Sequence, residues 1–131
     1  MKIYTIGYSG RTLDDMRRIL NEADGALLDI RMSPRSRKPG FSEKRLREAF
    51  RDNYLWMPEF GNVNYSGGPV ELGDPALGIE MIDAIQKDAI EDEWNGAIFL
   101  MCVCKDAATC HRHIVAELLR EHGYTVEEWQ D

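Results

Sequence analysis

Ala97-Ile98-Phe99-Leu100-Met101-Cys102-Val103-Cys104 is an unbroken run of eight apolar residues in an otherwise charged chain. It is far shorter than the ~20 residues of a membrane span, and it lacks the polar face of an amphipathic helix. It therefore reads as a strand over 97–103 buried on both faces, which belongs in a parallel sheet covered by helices. After a polar loop, Cys110-His111-Arg112 opens an amphipathic helix over 110–122. Open α/β sheets hold ligands in the loops that leave the carboxyl ends of their strands, with the first amides of the next helix pointing into the crevice. A thiol, an imidazole and a guanidinium on three successive residues at that place mark a candidate site.

The remaining chain repeats the alternation. Lys2 to Ile6 is a β-branched strand closed by Gly7. Thr12 and Asp15 have capping-box spacing, followed by the stripe Leu13, Met16, Ile19 and Leu20 up to Gly25. Ala26 to Arg31 is a second strand, apolar until its carboxyl end, and the segment from there to Gly40 is a basic loop. Ser42 caps a helix over 43–52 that carries Leu46, Ala49 and Phe50. Tyr54 to Met57 is a short strand ended by Pro58. Beyond it, up to Gly78, come five glycines and two prolines, a long loop of the kind that serves as a lid or binding loop. Ile79, Met81, Ile82, Ile85 and Ile90 form another helix face, and Tyr124 to Val126 a final strand. The expectation is one α/β domain over 1–131: three Rossmann-like layers, with a mostly parallel sheet of about five strands and helices on both faces. No repeat, second domain, or phosphate-loop or dinucleotide fingerprint is visible, so no cofactor is expected.

A 131-residue chain buries roughly 68% of its unfolded surface and needs no staples. Three cysteines, an odd number, do not suit a secreted disulfide framework; a reducing cytoplasm is expected, with no membrane span and no signal peptide. The net charge of −7 conceals a basic segment: residues 31–51 carry eight basic side chains against two acids. An acidic protein with one basic segment is no general nucleic-acid binder, but it can own a local anion site. Much of the helix's share, on Lys44, Arg45, Arg47 and Arg51, fits an ordinary solvated face.

Parallel topology would gather four stretches at one sheet edge: Gly7 to Arg11, Asp29 to Arg37, the loop from Pro58, and Cys102 to Arg112. Arg31, Arg35 and Arg37 present forks suited to phosphate or carboxylate oxygens, and Ser9 and Ser36 could add hydroxyls. Asp29 has two readings, a general base or a partner that orients Arg31. Cys110 sits where a helix N-terminus, His111 and Arg112 favour a thiolate, so it should be the most reactive thiol of the three. Its helical spacing to Ile114 and Leu118 also allows a small buried hydrophobe. Metal is the third reading, through Cys102, Cys104, Cys110 and His111. The spacing suits a strand and a helix start better than a zinc knuckle, so stoichiometric zinc is not expected.

Thr5-Ile6-Gly7-Tyr8-Ser9, Asp29-Ile30-Arg31 with Pro34 and Ser36-Arg37, Gly40-Phe41-Ser42, Cys102 and Cys110-His111-Arg112 together resemble the domain-of-unknown-function family 488, over nearly the whole chain. The resemblance implies a compact α/β domain and no established reaction. It places recurrent polar positions on Ser9, Asp29, Arg31, Ser36, Arg37, Cys110, His111 and Arg112. Two departures stand out: Cys104 where relatives often carry glutamate, and Gly61-Asn62 where a glycine pair is common.

The functional expectation is a pocket at the carboxyl edge for an anionic ligand, a nucleotide or nucleic-acid component. Arg31 and Arg37 would hold the anion, with Ser9, Ser36 and Arg112 beside it. Cys110 would be nucleophile or redox group, His111 proton carrier and Asp29 orienter. The alternatives are a binding module whose cysteine is structural, and a scaffold subunit that takes no small ligand.

Overall fold

A computed structural model of the chain describes residues 1–105 and 110–131; residues 106–109, part of the polar loop expected after the third long strand, lie outside it. Five parallel strands, β1 (Lys2–Gly7), β2 (Gly25–Asp29), β3 (Tyr54–Trp56), β4 (Ala97–Cys102) and β5 (Val126–Glu128), form one sheet in the order β3-β2-β4-β1-β5. The apolar run is the central strand, as its lack of any polar face requires. Ile98, Leu100 and Cys102 pack on one side with Ile82, Val115 and Leu119; Ala97, Phe99 and Met101 pack on the other with Met16, Ile19 and Leu46. The first layer belongs to helices α3 (Pro75–Glu91) and α4 (His111–Glu121), the second to α1 (Leu13–Ala23) and α2 (Glu43–Phe50). Among the described residues no helix is long and apolar enough to cross a membrane.

The expected helix starts are present. Thr12 Oγ1 accepts from the Asp15 amide while the Asp15 carboxylate accepts from the Thr12 amide, and Ser42 Oγ accepts from the Arg45 amide.

Most boundaries fall within about two residues of the sequence reading, and two differ more, each for a local reason. Helix α3 starts at Pro75, inside the expected loop. The Asp74 carboxylate accepts from the Leu77 amide and Pro75 occupies the first turn, where its missing N–H costs nothing. Gly78 sits within that helix because a Cβ there would collide with the Phe60 ring. The last strand is displaced to Val126–Glu128. The Tyr124 amide still bonds Leu119 O and the Gly123 amide bonds Arg120 O, so α4's final turn consumes the residues expected to be strand.

β1 and β4 run side by side, and the chain beyond β4 folds back over the end of β1. The Tyr8 and Ser9 amides bond Cys102 O and Val103 O at 3.0 and 2.9 Å. Gly7 lies so close to the Cys104 carbonyl that any Cβ would drive into it. Gly7→Ala should therefore cost about 1–3 kcal/mol, the range of an overpacked core, read as a lower urea midpoint at unchanged m-value. Gly10→Ala has open space around it but a positive φ of 83°. It should cost less than Gly7→Ala and should leave the β4 loop in place.

Candidate functional site

The strand order contains a reversal. From β2 the chain moves outward to β3 over one face; from β4 it moves the opposite way to β5 over the other. The neighbouring carboxyl ends of β2 and β4 therefore diverge above the sheet, which is where open α/β sheets form a crevice. A cavity of about 620 Å³ occupies this place, within the range of small-molecule sites. Arg31, Met32, Ser33 and Arg35 line it from the β2 side, and Cys102, Val103 and Cys104 from the end of β4. Cys110 and His111 enter from the start of α4; Asn62, Tyr65 and Val70 come from the loop after β3.

That third wall is organised by its own backbone. Asn62 bridges Leu72 in an antiparallel pair, and its Oδ1 accepts from the Asn64 and Glu71 amides at 3.0 and 3.1 Å. Gly61 lets the wall touch the β2 loop, since a Cβ there would strike the Met32 backbone. Tyr65 stands 64% exposed beside the cavity.

Three ligand-type atoms meet at the cavity wall: Cys102 Sγ, Cys110 Sγ and a ring nitrogen of His111 all lie within 4.8 Å of one another. Cys102 ends β4, and Cys110 is the N-cap residue of α4, in extended conformation with no side-chain cap bond. Their sulfurs are in contact, while their Cα atoms stand 7.6 Å apart. His111 Nε2 is 2.7 Å from Ile30 O, and Nδ1 is 3.7 Å from Cys110 Sγ. A carbonyl only accepts, so Nε2 carries the proton and the neutral ring turns its Nδ1 lone pair toward the sulfurs. Burial holds the imidazole below its usual pKa, the nearby Arg112 charge adds to that, and the Ile30 carbonyl opposes it.

The two arginines flanking this cluster are both buried and both engaged. Arg31 Nε and Nη2 donate to the two oxygens of Asp29 at 2.7 and 2.6 Å, and Nη1 donates to Phe41 O at 2.8 Å. Asp29 is 0% exposed and also accepts from the Tyr54 hydroxyl at 2.6 Å. Burial pulls the Arg31 guanidinium down, but Asp29's hydrogen bonds and charge outweigh this and hold it above its ordinary value. Burial together with the Asp29 charge pushes the Tyr54 hydroxyl up. Asp29 thus orients Arg31, one of its two expected roles, and neither of its oxygens faces the cavity among the lining groups.

Arg112 uses all five N–H groups. Nε and Nη2 donate to the two Glu128 oxygens at 3.0 and 2.9 Å, Nη2 also to Lys105 O at 3.1 Å, and Nη1 to Cys104 O at 2.6 Å and Cys102 Sγ at 3.2 Å. It touches the cluster from behind, through Cys102.

Of the candidate site residues named from the sequence, Arg31, Arg35, Cys102, Cys104, Cys110 and His111 reach the cavity. Ser36 Oγ accepts from the Tyr8 hydroxyl and the Lys38 amide. Ser9 lines a separate, smaller pocket with Arg11, Arg18 and Lys105. Arg37 is exposed on the β2 loop and does not line the cavity. Arg35 on the same loop does, and neither arginine has an ion-pair partner among the described residues. Asn62 was noted in the sequence only as part of the Gly61-Asn62 departure, and Ser33, Tyr65 and Val70 were not singled out. Their only signal was the glycine-rich length of the loop after β3 and the polar stretch after β2.

Residues 13–66 match a family model described as Domain of unknown function DUF488. The matched segment contains Asp29, Arg31, Ser36 and Arg37 and ends before the cysteines. No curated protein and no solved structure matches the chain.

The Asp29–Arg31 pair makes a direct prediction. Asp29→Ala leaves a buried guanidinium without its counter-charge and should cost about 3–5 kcal/mol. Arg45→Ala breaks only the exposed Arg45–Glu48 pair and should change stability by less than about 1 kcal/mol. Urea denaturation of both variants measures the contrast.

Proposed function

We propose that the cavity between the ends of β2 and β4 binds an anionic ligand, a nucleotide or nucleic-acid component, and presents it to the Cys102, Cys110 and His111 cluster. The observation that carries this reading is the composition of the cavity lining. It combines the Arg35 guanidinium, which has no ion-pair partner among the described residues, with an exposed aromatic face on Tyr65 and with Ser33 and Asn62. A guanidinium suits phosphate oxygens and a tyrosine ring suits stacking on a base. Arg31, braced by Asp29, shapes the loop that carries Arg35. The cluster opposite gives the site cysteine-dependent chemistry and makes it enzyme-like.

A second reading, a binding module with structural cysteines, draws on the burial of Cys110, which is 6% exposed and packs in the α3/α4 core layer. Turnover separates the two, because a module tolerates Cys110→Ser and a cysteine-dependent enzyme does not.

Binding is tested by thermal shift with nucleoside phosphates and inorganic phosphate. A ligand at a hundredfold excess over its Kd stabilises by about 2.7 kcal/mol. Arg35→Ala should remove most of that shift and Tyr65→Ala should reduce it for nucleotides but not for phosphate. Arg45→Ala, on α2, should leave it intact. A full shift retained in Arg35→Ala would place the anion elsewhere.

A further inference from the structure

Cys102, Cys110 and His111 are far apart in kind of element, one ending a strand and two starting a helix, yet their ligand atoms share one small volume at the cavity wall. We infer that these three side chains form a binding site for a thiophilic divalent cation, with zinc as the metal of choice, using Cys102 Sγ, Cys110 Sγ and His111 Nδ1. Zinc at about 2.3 Å from sulfur and about 2.0 Å from nitrogen sets tetrahedral ligands of this kind roughly 3.5–3.8 Å apart. Cys110 Sγ and His111 Nδ1 already stand 3.7 Å apart, and the two sulfurs, in contact here, reach that spacing by moving apart through side-chain rotation.

Three features of the surroundings point the same way. The Ile30 carbonyl accepts a hydrogen bond from Nε2–H at 2.7 Å, which leaves the Nδ1 lone pair free to bind a metal and fixes the ring. Metal-bound imidazoles have this kind of backbone partner on their second nitrogen. Arg112 Nη1 donates to Cys102 Sγ at 3.2 Å, an N–H bond of the type that supports a coordinated sulfur from outside. The backbone holds the two cysteine Cα atoms 7.6 Å apart. Ordinary disulfides span 4.4–6.8 Å, so this separation is wide for a bond between the sulfurs, and an ion enters once the two side chains rotate from contact to about 3.8 Å.

Cys104 belongs outside the set. Its carbonyl is held by Arg112, and it is not part of the cluster of ligand atoms. Three protein ligands are the number found in zinc sites that retain an exchangeable position, and all three residues line the cavity. Only the identity of what fills that fourth position rests on the anion reading above.

The test is cobalt and zinc titration of the reduced, metal-stripped full chain, with thiols counted beforehand. The expected result is one equivalent of cobalt per chain with thiolate-to-cobalt charge-transfer absorption and the visible bands of tetrahedral cobalt, displaced by one equivalent of zinc. Zinc should protect Cys102 and Cys110 together from iodoacetamide while Cys104 labels at the same rate with or without it, and a chelator should reverse the protection. Cys102→Ser, Cys110→Ser and His111→Gln should each weaken zinc binding more than tenfold, and Cys104→Ser should not. The protection pattern needs no variant, so it stands even where a substitution unfolds the chain.

Absence of the cobalt–thiolate band in protein with three free thiols would overturn the inference. So would a purified, zinc-free chain two hydrogens lighter that recovers two thiols on reduction, which is the mark of a Cys102–Cys110 disulfide. Metal binding without an Arg35-dependent anion shift would leave this site standing and remove the anion reading; the reverse pattern would do the opposite.

Discussion

Arg112 is 0% exposed and ties together the parts of the chain that build the site. Its guanidinium reaches the carbonyls of Cys104 and Lys105, the sulfur of Cys102 and both oxygens of Glu128. Glu128 in turn accepts from the Thr5 hydroxyl at 2.7 Å. One side chain therefore connects α4, the end of β4, the edge strand β5 and, through Glu128, β1. Taking a guanidinium out of water is expensive, and only a full set of partners makes it tolerable. That requirement works as a geometric constraint. The loop leaving β4 must present its carbonyls inward, and β5 must extend far enough for Glu128 to arrive. Gly7 must lack a side chain so that the Cys104 carbonyl can lie against it.

A second buried guanidinium does the same on the other side of the crevice. Arg31 is held by Asp29, by Phe41 O and by the Tyr8 ring, whose centroid is 5.4 Å from the guanidinium carbon. Tyr8 stacks on Phe41, so the loop after β1, the loop after β2 and the approach to α2 are fastened to one another. The two loops that form the crevice are thus each anchored by an internally paired arginine. Rigid walls of this kind suit a site that must hold its groups in place. They also explain why, of the two arginines that line the cavity, Arg31 is held by Asp29 while Arg35 has no ion-pair partner among the described residues.

The overall architecture was legible because it rests on short-range patterns. The apolar run at 97–104, the Thr12–Asp15 capping box, Ser42 before α2 and the stripe along α1 all report local periodicity or local hydrogen bonding, and each reappears in the fold. Legibility failed where a tertiary contact overrode the local signal. Gly78 looked like loop, but it is a helical residue under the Phe60 ring. Tyr124 looked like strand, but its amide completes α4's last turn. In the site, Cys110 and His111 could be named from their position at a helix start. Tyr65 and Val70 could not, because only the folding of the long loop brings them to the crevice.

The residues alone determined that a parallel, helix-covered sheet would form and that a thiol, an imidazole and an arginine would stand at the carboxyl end of its central strand. Side-chain period and capping chemistry act within a few residues, so a linear reading reaches them. The tertiary structure decided which arginines are buried struts and which cavity-lining one stays exposed, because burial depends on partners more than twenty residues away in sequence, such as Tyr8 for Arg31. It also decided that Cys102 rather than Cys104 joins Cys110 and His111. Alternation along a strand would let Cys102 and Cys104 share a face, but the strand ends at Cys102, and Arg112 turns the following backbone away from the cluster.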